Sequence, residues 1–279
     1  MRATAVRRTA LAASVAALTL LATACGGSSD SDGKGGASGA GAGAGSGSGD
    51  KGGAVPKAAV KTLTAAELEK ASLVQGDVKG NKIAKAGPDD QVKAEGVKVD
   101  KKECEPFAHA YLGVEQGKPV ARTQRTAVSE PKKTDKGTSL EDLAEMPEGD
   151  AEDAFAAAFD LTSTLVSLSS YEAQGAPETL AVVRESAAAC AGGFTITMDG
   201  DTQKIAKLVE EKVTGGDEAI GWTVVSESDG KQVPFKLVAL RQSGTFATFV
   251  SFNLAATGGR AEGFGLPTAI VAAQATKLS

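Results

Sequence analysis

The chain has 279 residues, with 30 Lys+Arg against 35 Asp+Glu, a formal charge of −5, three cysteines, one histidine and twelve aromatic residues. A chain with no basic excess excludes a cationic nucleic-acid binder, and one His with three Cys cannot build a His/Cys zinc site and still leave its cysteines free for other duties. Glycine fills 13 of the 28 positions in 26–53, so the folded part is shorter than the whole and has the size of one ordinary domain.

The N terminus carries Arg2, Arg7 and Arg8 and no acid, followed by an apolar or small-residue run over 9–24 that includes Leu11, Val15, Leu18, Leu20 and Leu21. That is the pattern of an export signal. The run falls short of the roughly 20 residues a spanning helix needs. Leu20-Leu21-Ala22-Thr23-Ala24-Cys25-Gly26-Gly27 resembles a bacterial lipobox, in which small residues precede a cysteine that is lipid-modified and becomes the mature N terminus; Ala22 stands where the family prefers Leu. The resemblance implies a signal peptide over 1–24 and acylation of Cys25. The protein would then be held by membrane lipid on the extracytoplasmic face of the cell membrane, each buried methylene contributing about 0.8 kcal/mol. An ordinary secretory signal with an incidental cysteine is the alternative. Arg7-Arg8-Thr9-Ala10-Leu11 also resembles a twin-arginine export signal, and the same pair reads equally well as the positive start of any leader.

Residues 26–53 contain Gly, Ser, Ala, Asp and Lys and no aromatic or branched apolar residue. Such a chain cannot bury enough surface to offset its ordering entropy, so a disordered linker over 25–62 is expected, with an end-to-end distance of roughly 30 Å for the Gly-rich part. Gly47-Ser48-Gly49-Asp50-Lys51-Gly52 spells the dinucleotide fingerprint, but no strand precedes it and no helix follows, so it carries no phosphate reading. Without the leader, 27 basic residues face 35 acidic ones, a net −8. Nonspecific attraction to anionic lipid is therefore not what holds the mature chain.

The folded domain is expected over 63–279. Thr64-Ala65-Ala66-Glu67 before Leu68 is a capping-box pattern and predicts a short helix. Cys104, Phe107, Ala108, Tyr111 and Leu112 share one face of a second helix, with Pro106 in its first turn. A third helix over 177–191 places Leu180, Val183, Ala187 and Cys190 on one face. Once exported, Cys104 and Cys190 have a single possible pairing, with two buried free thiols as the competing reading. Strands are predicted over 120–128, 161–171 and 194–198, while 203–213 fits a helix or a strand equally. Trp222 opens an alternating strand, Asp229-Gly230 supplies a turn, a strand follows over 233–241, and Ser243-Gly244 turns again. Phe246, Thr248, Val250, Phe252 and Leu254 then lie on one strand face, and a last helix follows Pro267 with Ile270, Val271, Gln274 and Leu278. The sum is an α+β domain in which an antiparallel sheet has helices packed on one face and one disulfide.

The run from Thr214 through Gly215, Gly216, Asp217, Glu218, Ala219, Ile220 and Gly221 to Trp222 carries a resemblance. So do the strand ending Val238-Ala239-Leu240-Arg241-Gln242-Ser243-Gly244, the Phe-rich strand and the closing Leu-Pro helix. Together they resemble the sensor-type domain of actinobacterial exported lipoproteins, similar to the extracellular part of mycobacterial receptor serine/threonine kinases. That resemblance implies an extracellular sensor-like fold and agrees with a helix ending in a disulfide cysteine at Cys190.

No catalytic constellation emerges. There is no GxSxG, and His109, the lone imidazole, is expected on the polar side of its helix. Ser228-Asp229-Gly230-Lys231 spells SxxK in a hairpin turn rather than at a helix start. Asp199, Asp201, Gln203 and Glu210 mimic EF-hand positions, but Lys204 stands where the sharp turn demands Gly. No metal and no cofactor is expected, and two readings of function remain. The first is a non-catalytic, membrane-anchored module that binds an envelope ligand or protein, with Trp222 as its candidate contact or else as a core residue. The second is a lipid or glycolipid carrier, which requires an apolar cavity of several hundred cubic ångströms.

Overall fold

The computed structural model describes residues 60–87, 91–129, 147, 149, 160–228, 230–257 and 264–279. Cys25, the leader, the linker up to residue 59, Asp229, Gly258, Gly259 and Gly263 lie outside the described residues. The described part builds one nine-stranded antiparallel sheet in the order β1-β3-β4-β9-β8-β7-β6-β5-β2. In chain order the strands are β1 (Asn81–Lys85), β2 (Val97–Val99), β3 (Ala121–Ser129), β4 (Thr162–Ser170), β5 (Phe194–Met198), β6 (Asp201–Glu211), β7 (Glu218–Ser228), β8 (Lys231–Gln242) and β9 (Thr245–Asn253). Among the described residues the α-helices that accompany them are α1 (Ala65–Lys70), α2 (Glu105–Tyr111), α3 (Gly175–Ala189), α4 (Leu254–Thr257) and α5 (Thr268–Leu278).

The α+β class, the antiparallel sheet and the disulfide are as expected. Helix α1 begins at the anticipated capping box, where the Glu67 amide donates to Thr64 Oγ1 and the Thr64 amide donates to Glu67 Oε2 at 2.9 Å. The sheet itself differs from the expectation of helices on one face, because both faces are covered. On one face α2 and α3 pack over Phe194, Ile196, Ile205, Ile220, Trp222, Val224, Leu237 and Ala239. On the other, α1 and α5 pack over Val166, Leu168, Val238, Leu240, Ala247 and Phe249. The reason is visible in β8 and β9. Successive side chains of a strand point to opposite faces, and here both parities are apolar: Leu237 with Ala239 against Val238 with Leu240, and Phe246 against Ala247 and Phe249. Phe249 is fully buried on the face that the strand pattern leaves open if only Phe246, Val250 and Phe252 are counted.

Two further elements resolve or correct the reading. The ambiguous segment 203–213 is strand as far as Glu211, within β6. A register shift between Ile205 and Lys207 places Ile205 and Leu208 in the same core, so a bulge produces the spacing of three that imitates a helix. Leu254 leaves the strand and starts α4, because Asn253 Oδ1 accepts from the amides of Ala255 at 2.8 Å and Ala256 at 3.2 Å, capping that turn.

Polar staples tie the helices down. Gln274 of α5 is fully buried; it accepts from the Leu73 amide at 3.2 Å and donates to the Ala71 carbonyl at 2.7 Å, which joins the last helix to the end of the first. Cys104 at the start of α2 is bonded to Cys190 at the end of α3 with Cα atoms 5.7 Å apart. Beside that bridge Ser186 Oγ donates to the Glu103 carbonyl at 2.6 Å and accepts from the Phe107 amide at 3.2 Å.

Candidate functional site

The residues singled out from the sequence do not converge. Cys104 and Cys190 are both buried and bonded to one another, so they are structural. Trp222 is 2% exposed and packs edge-on against Phe107, ring centroids 5.4 Å apart. β7 begins at Glu218 rather than at Trp222, and the indole inside the strand lies under α2, in the core, so the ligand contact expected of it is corrected to a packing role. Such an aromatic pair contributes about 0.5–1.5 kcal/mol beyond area burial. His109 is half-buried rather than solvated, and burial lowers its pKa against the opposing pull of Glu105. Ser228 closes β7 opposite Lys231, which opens β8, so the SxxK letters fall on a hairpin. Asp199 and Gly200, with φ of 50° and 94°, form the β5–β6 turn. Among the described residues no group of His, Cys, Asp and Glu is arranged to hold a metal ion, and no helix is long and apolar enough to cross a membrane.

The clefts lie elsewhere, on either side of the loop that joins α2 to β3. Gly113 makes that loop possible. Its φ is +64°, and a Cβ there would lie 2.7 Å from Leu165 Cδ2 and 2.9 Å from Ser167 Oγ. Only glycine can press this turn onto β4. The Gly113 carbonyl is thereby brought over β3, where it accepts from Gln124 Nε2 at 2.9 Å and from Arg122 Nη2.

A cleft of about 360 Å³ opens on one side, between the loop and α3, lined by Gln116, Lys118, Val120, Tyr171, Glu178 and Val182 among others. Tyr171 forms its floor: its hydroxyl donates to the Gln116 carbonyl at 2.6 Å, and burial raises its pKa. A second cleft, of about 570 Å³, opens on the other side, lined by Glu69, Lys85, Glu115, Arg122, Thr123 and Gln124 together with Ala65, Ala66, Ala86 and Gln91. Both volumes fall in the range of small-ligand sites; the lining of the larger cleft is mainly polar, whereas that of the smaller one is more apolar than polar.

The two arginines of β3 have different environments. Arg125 is buried and well partnered: Nη2 reaches Glu69 Oε1 at 2.7 Å, Nε the Leu73 carbonyl at 3.1 Å, and Nη1 both Thr123 Oγ1 at 3.0 Å and the Gln124 carbonyl at 2.9 Å. The Glu69 carboxylate also accepts from Thr123 Oγ1 at 2.8 Å and from Lys85 Nζ at 3.2 Å. The Thr123 hydroxyl first, then Arg125 and Lys85, hold its pKa down at about 2, against the opposing effect of burial. Glu69 is therefore ionised and occupied at neutral pH, the state of a recognition or structural group rather than of a proton acceptor.

Arg122 has no such partner. Its guanidinium is half-buried, Nη2 donates to the Gly113 carbonyl, and Nε is buried with no hydrogen-bond acceptor. No carboxylate lies within salt-bridge distance of it among the described residues; Glu115 acts only through space, opposing the lowering of its pKa by burial. Beside it Gln124, 5% exposed, donates from Nε2 to Gly113 and to Ser167 Oγ at 2.8 Å, while its Oε1 accepts nothing. The Gly113 carbonyl fixes that amide's orientation, since a flipped amide would set two acceptors against each other. Buried polar atoms without partners are uncommon, and these two lie on one strand beside the larger cleft.

Sequence reasoning overlooked this site. The strand over 120–128 was legible, but the Arg122-Thr123-Gln124-Arg125 run inside it puts polar residues on both strand parities. That is the one signal that could have found it.

No protein-family model matches the chain, and no curated protein matches it. Its structure is similar to the crystal structure of the extracellular domain of PknH from Mycobacterium tuberculosis, with a TM-score of 0.43 and 11% identity, covering 78% of this chain and 97% of that one. It is also similar to the Rv0999 ortholog from Mycobacterium smegmatis, with a TM-score of 0.32 and 10% identity over 79% of this chain and 98% of the other.

Proposed function

We propose that this protein is a lipid-anchored extracytoplasmic binding module without catalytic activity, tethered through Cys25 and presenting the clefts around the Gly113–Val120 loop to an envelope ligand or protein. The observation that carries the reading is the buried Cys104–Cys190 bridge. A structural disulfide belongs to an oxidising compartment, which is where the leader and the cysteine after it direct the chain. The remaining cysteine, Cys25, is then the one available for acylation. Binding rather than transport of a lipid is favoured by the lining of the larger cleft: charged groups at Glu69, Lys85, Glu115 and Arg122 suit a polar ligand and oppose an acyl chain. Fractionating cells that express Cys25→Ala tests the anchor. The reading requires the wild type in the membrane fraction and the variant released from it, and a variant still bound to the membrane refutes it.

A further inference from the structure

We propose that residues 60–63 form a strap that couples the tether to the smaller cleft. Seated, the strap holds the Ser170–Tyr171 pair beneath that cleft; a pull on the chain ahead of it releases the pair and loosens the cleft. The pull rests on the tethered-module reading, whereas the coupling is a property of the domain and is tested there.

The chain that carries Cys25 enters the described fold at Val60, and the three residues after it are held by partners distant in sequence. The Lys61 amide donates to Ser243 Oγ at 2.8 Å, and the Lys61 carbonyl accepts from the Gly244 amide at 3.3 Å. Thr62 Oγ1 donates to the Tyr171 carbonyl at 2.9 Å, and the Leu63 amide donates to Ser170 Oγ at 2.7 Å. Glycine at 244 keeps this seat open, because a Cβ there would lie 2.6 Å from the Lys61 carbonyl oxygen and 3.0 Å from that of Tyr171.

The same two residues are held from the cleft side. The Val120 amide donates to the Ser170 carbonyl at 2.8 Å, and the Tyr171 hydroxyl donates to the Gln116 carbonyl at 2.6 Å. Gln116, Val120 and Tyr171 all line the smaller cleft. Ser170 and Tyr171 are thus clamped between the strap and the α2–β3 loop, each of which gives them two hydrogen bonds.

Of the two sides, the strap is the one built to let go. Lys61 is exposed, Val60 and Thr62 are half-buried, and Leu63 alone is buried. A segment with so few buried apolar groups opens at a fraction of the free energy of global unfolding. Its release takes away the Thr62 and Leu63 bonds to the pair. By linkage, whatever steadies the pair from the cleft resists that release by the same factor.

The test is amide hydrogen exchange by NMR on the full chain in detergent, comparing wild type with Thr62→Val and Tyr171→Phe. The first variant keeps the side-chain shape and removes the donor to Tyr171; the second removes the donor to Gln116. Thr62→Val should speed exchange at Leu63 and, across the pair, at Val120, by roughly two- to tenfold, the change appropriate to one hydrogen bond. Tyr171→Phe should speed Val120 and, in turn, Leu63. The Val238 amide, in the middle of the sheet, should keep its wild-type rate in both. A variant that acts only on its own side of the pair, or on neither, overturns the coupling, and so does an equal acceleration at Leu63, Val120 and Val238. Should one variant fail to fold, the other decides. None of these outcomes bears on the Cys25 anchor, which stands or falls on fractionation.

Discussion

Removing the disulfide gives the best-determined energy in this fold. Cys104 and Cys190 are 86 residues apart, and closing a loop of that size removes about 15 cal/mol/K from the unfolded chain, or about 4.6 kcal/mol at 25 °C, in the chain-entropy description. A domain of this size is stabilised by roughly 5–15 kcal/mol in total, so the bridge accounts for about a third or more. At roughly 2–4 °C per kcal/mol, Cys104→Ala/Cys190→Ala should unfold roughly 10–18 °C below wild type. The double variant also removes two sulfur atoms from a site beside Phe107 where both cysteines are buried, which adds a small cavity term in the same direction. Thermal unfolding followed by circular dichroism measures the sum, and wild-type protein held in reductant isolates the loop term. Reduced wild type that unfolds within about 2 °C of the oxidised form would refute the reasoning, because it would leave less than about 1 kcal/mol to the cross-link.

Two other perturbations test the interior and the site. Trp222→Ala should destabilise by about 3–5 kcal/mol, as a buried aromatic truncation does. Because the sole indole is sealed beneath α2, wild-type emission should not shift when a ligand occupies either cleft, and a ligand-dependent shift would return Trp222 to the surface. At Glu69 the folded pKa of about 2 lies below the ordinary carboxylate value. Its contribution is therefore complete at neutral pH and is lost as pH falls from roughly 5 towards 2. The carboxylate is 40% exposed, so the effect is modest, and Glu69→Gln should be less stable at neutral pH with a flatter acid limb in urea titrations. An unchanged acid limb would show that the contacts to Thr123, Arg125 and Lys85 carry no energy.

Most of the architecture was legible because its signals are local. The Thr64 to Glu67 capping box, the face of α3 leading to Cys190, and the turn residues at Gly230 and Ser243 each act within a few residues. What could not be read depends on partners distant in sequence. The second covered face needs α1 and α5 to meet over β9, some 200 residues after α1, as the buried Gln274 bonds to Ala71 and Leu73 show. The bulge in β6 made a strand carry a helical spacing. Trp222 looked like a surface contact because its Gly-rich, acidic neighbours are a loop, whereas the α2 packing that buries it lies over 100 residues earlier. Arg122 and Gln124 come together beside the larger cleft only when Gly113 folds its carbonyl over them.

An acylated, exported chain with an oxidised fold is one claim in two parts, and one intact mass of the protein purified from its own membranes tests both. It predicts a mature chain that begins at Cys25, carries a diacylglyceryl group, and lacks the two hydrogens removed by the Cys104–Cys190 bond. A mass that retains residues 1–24 with an unmodified Cys25 would contradict it.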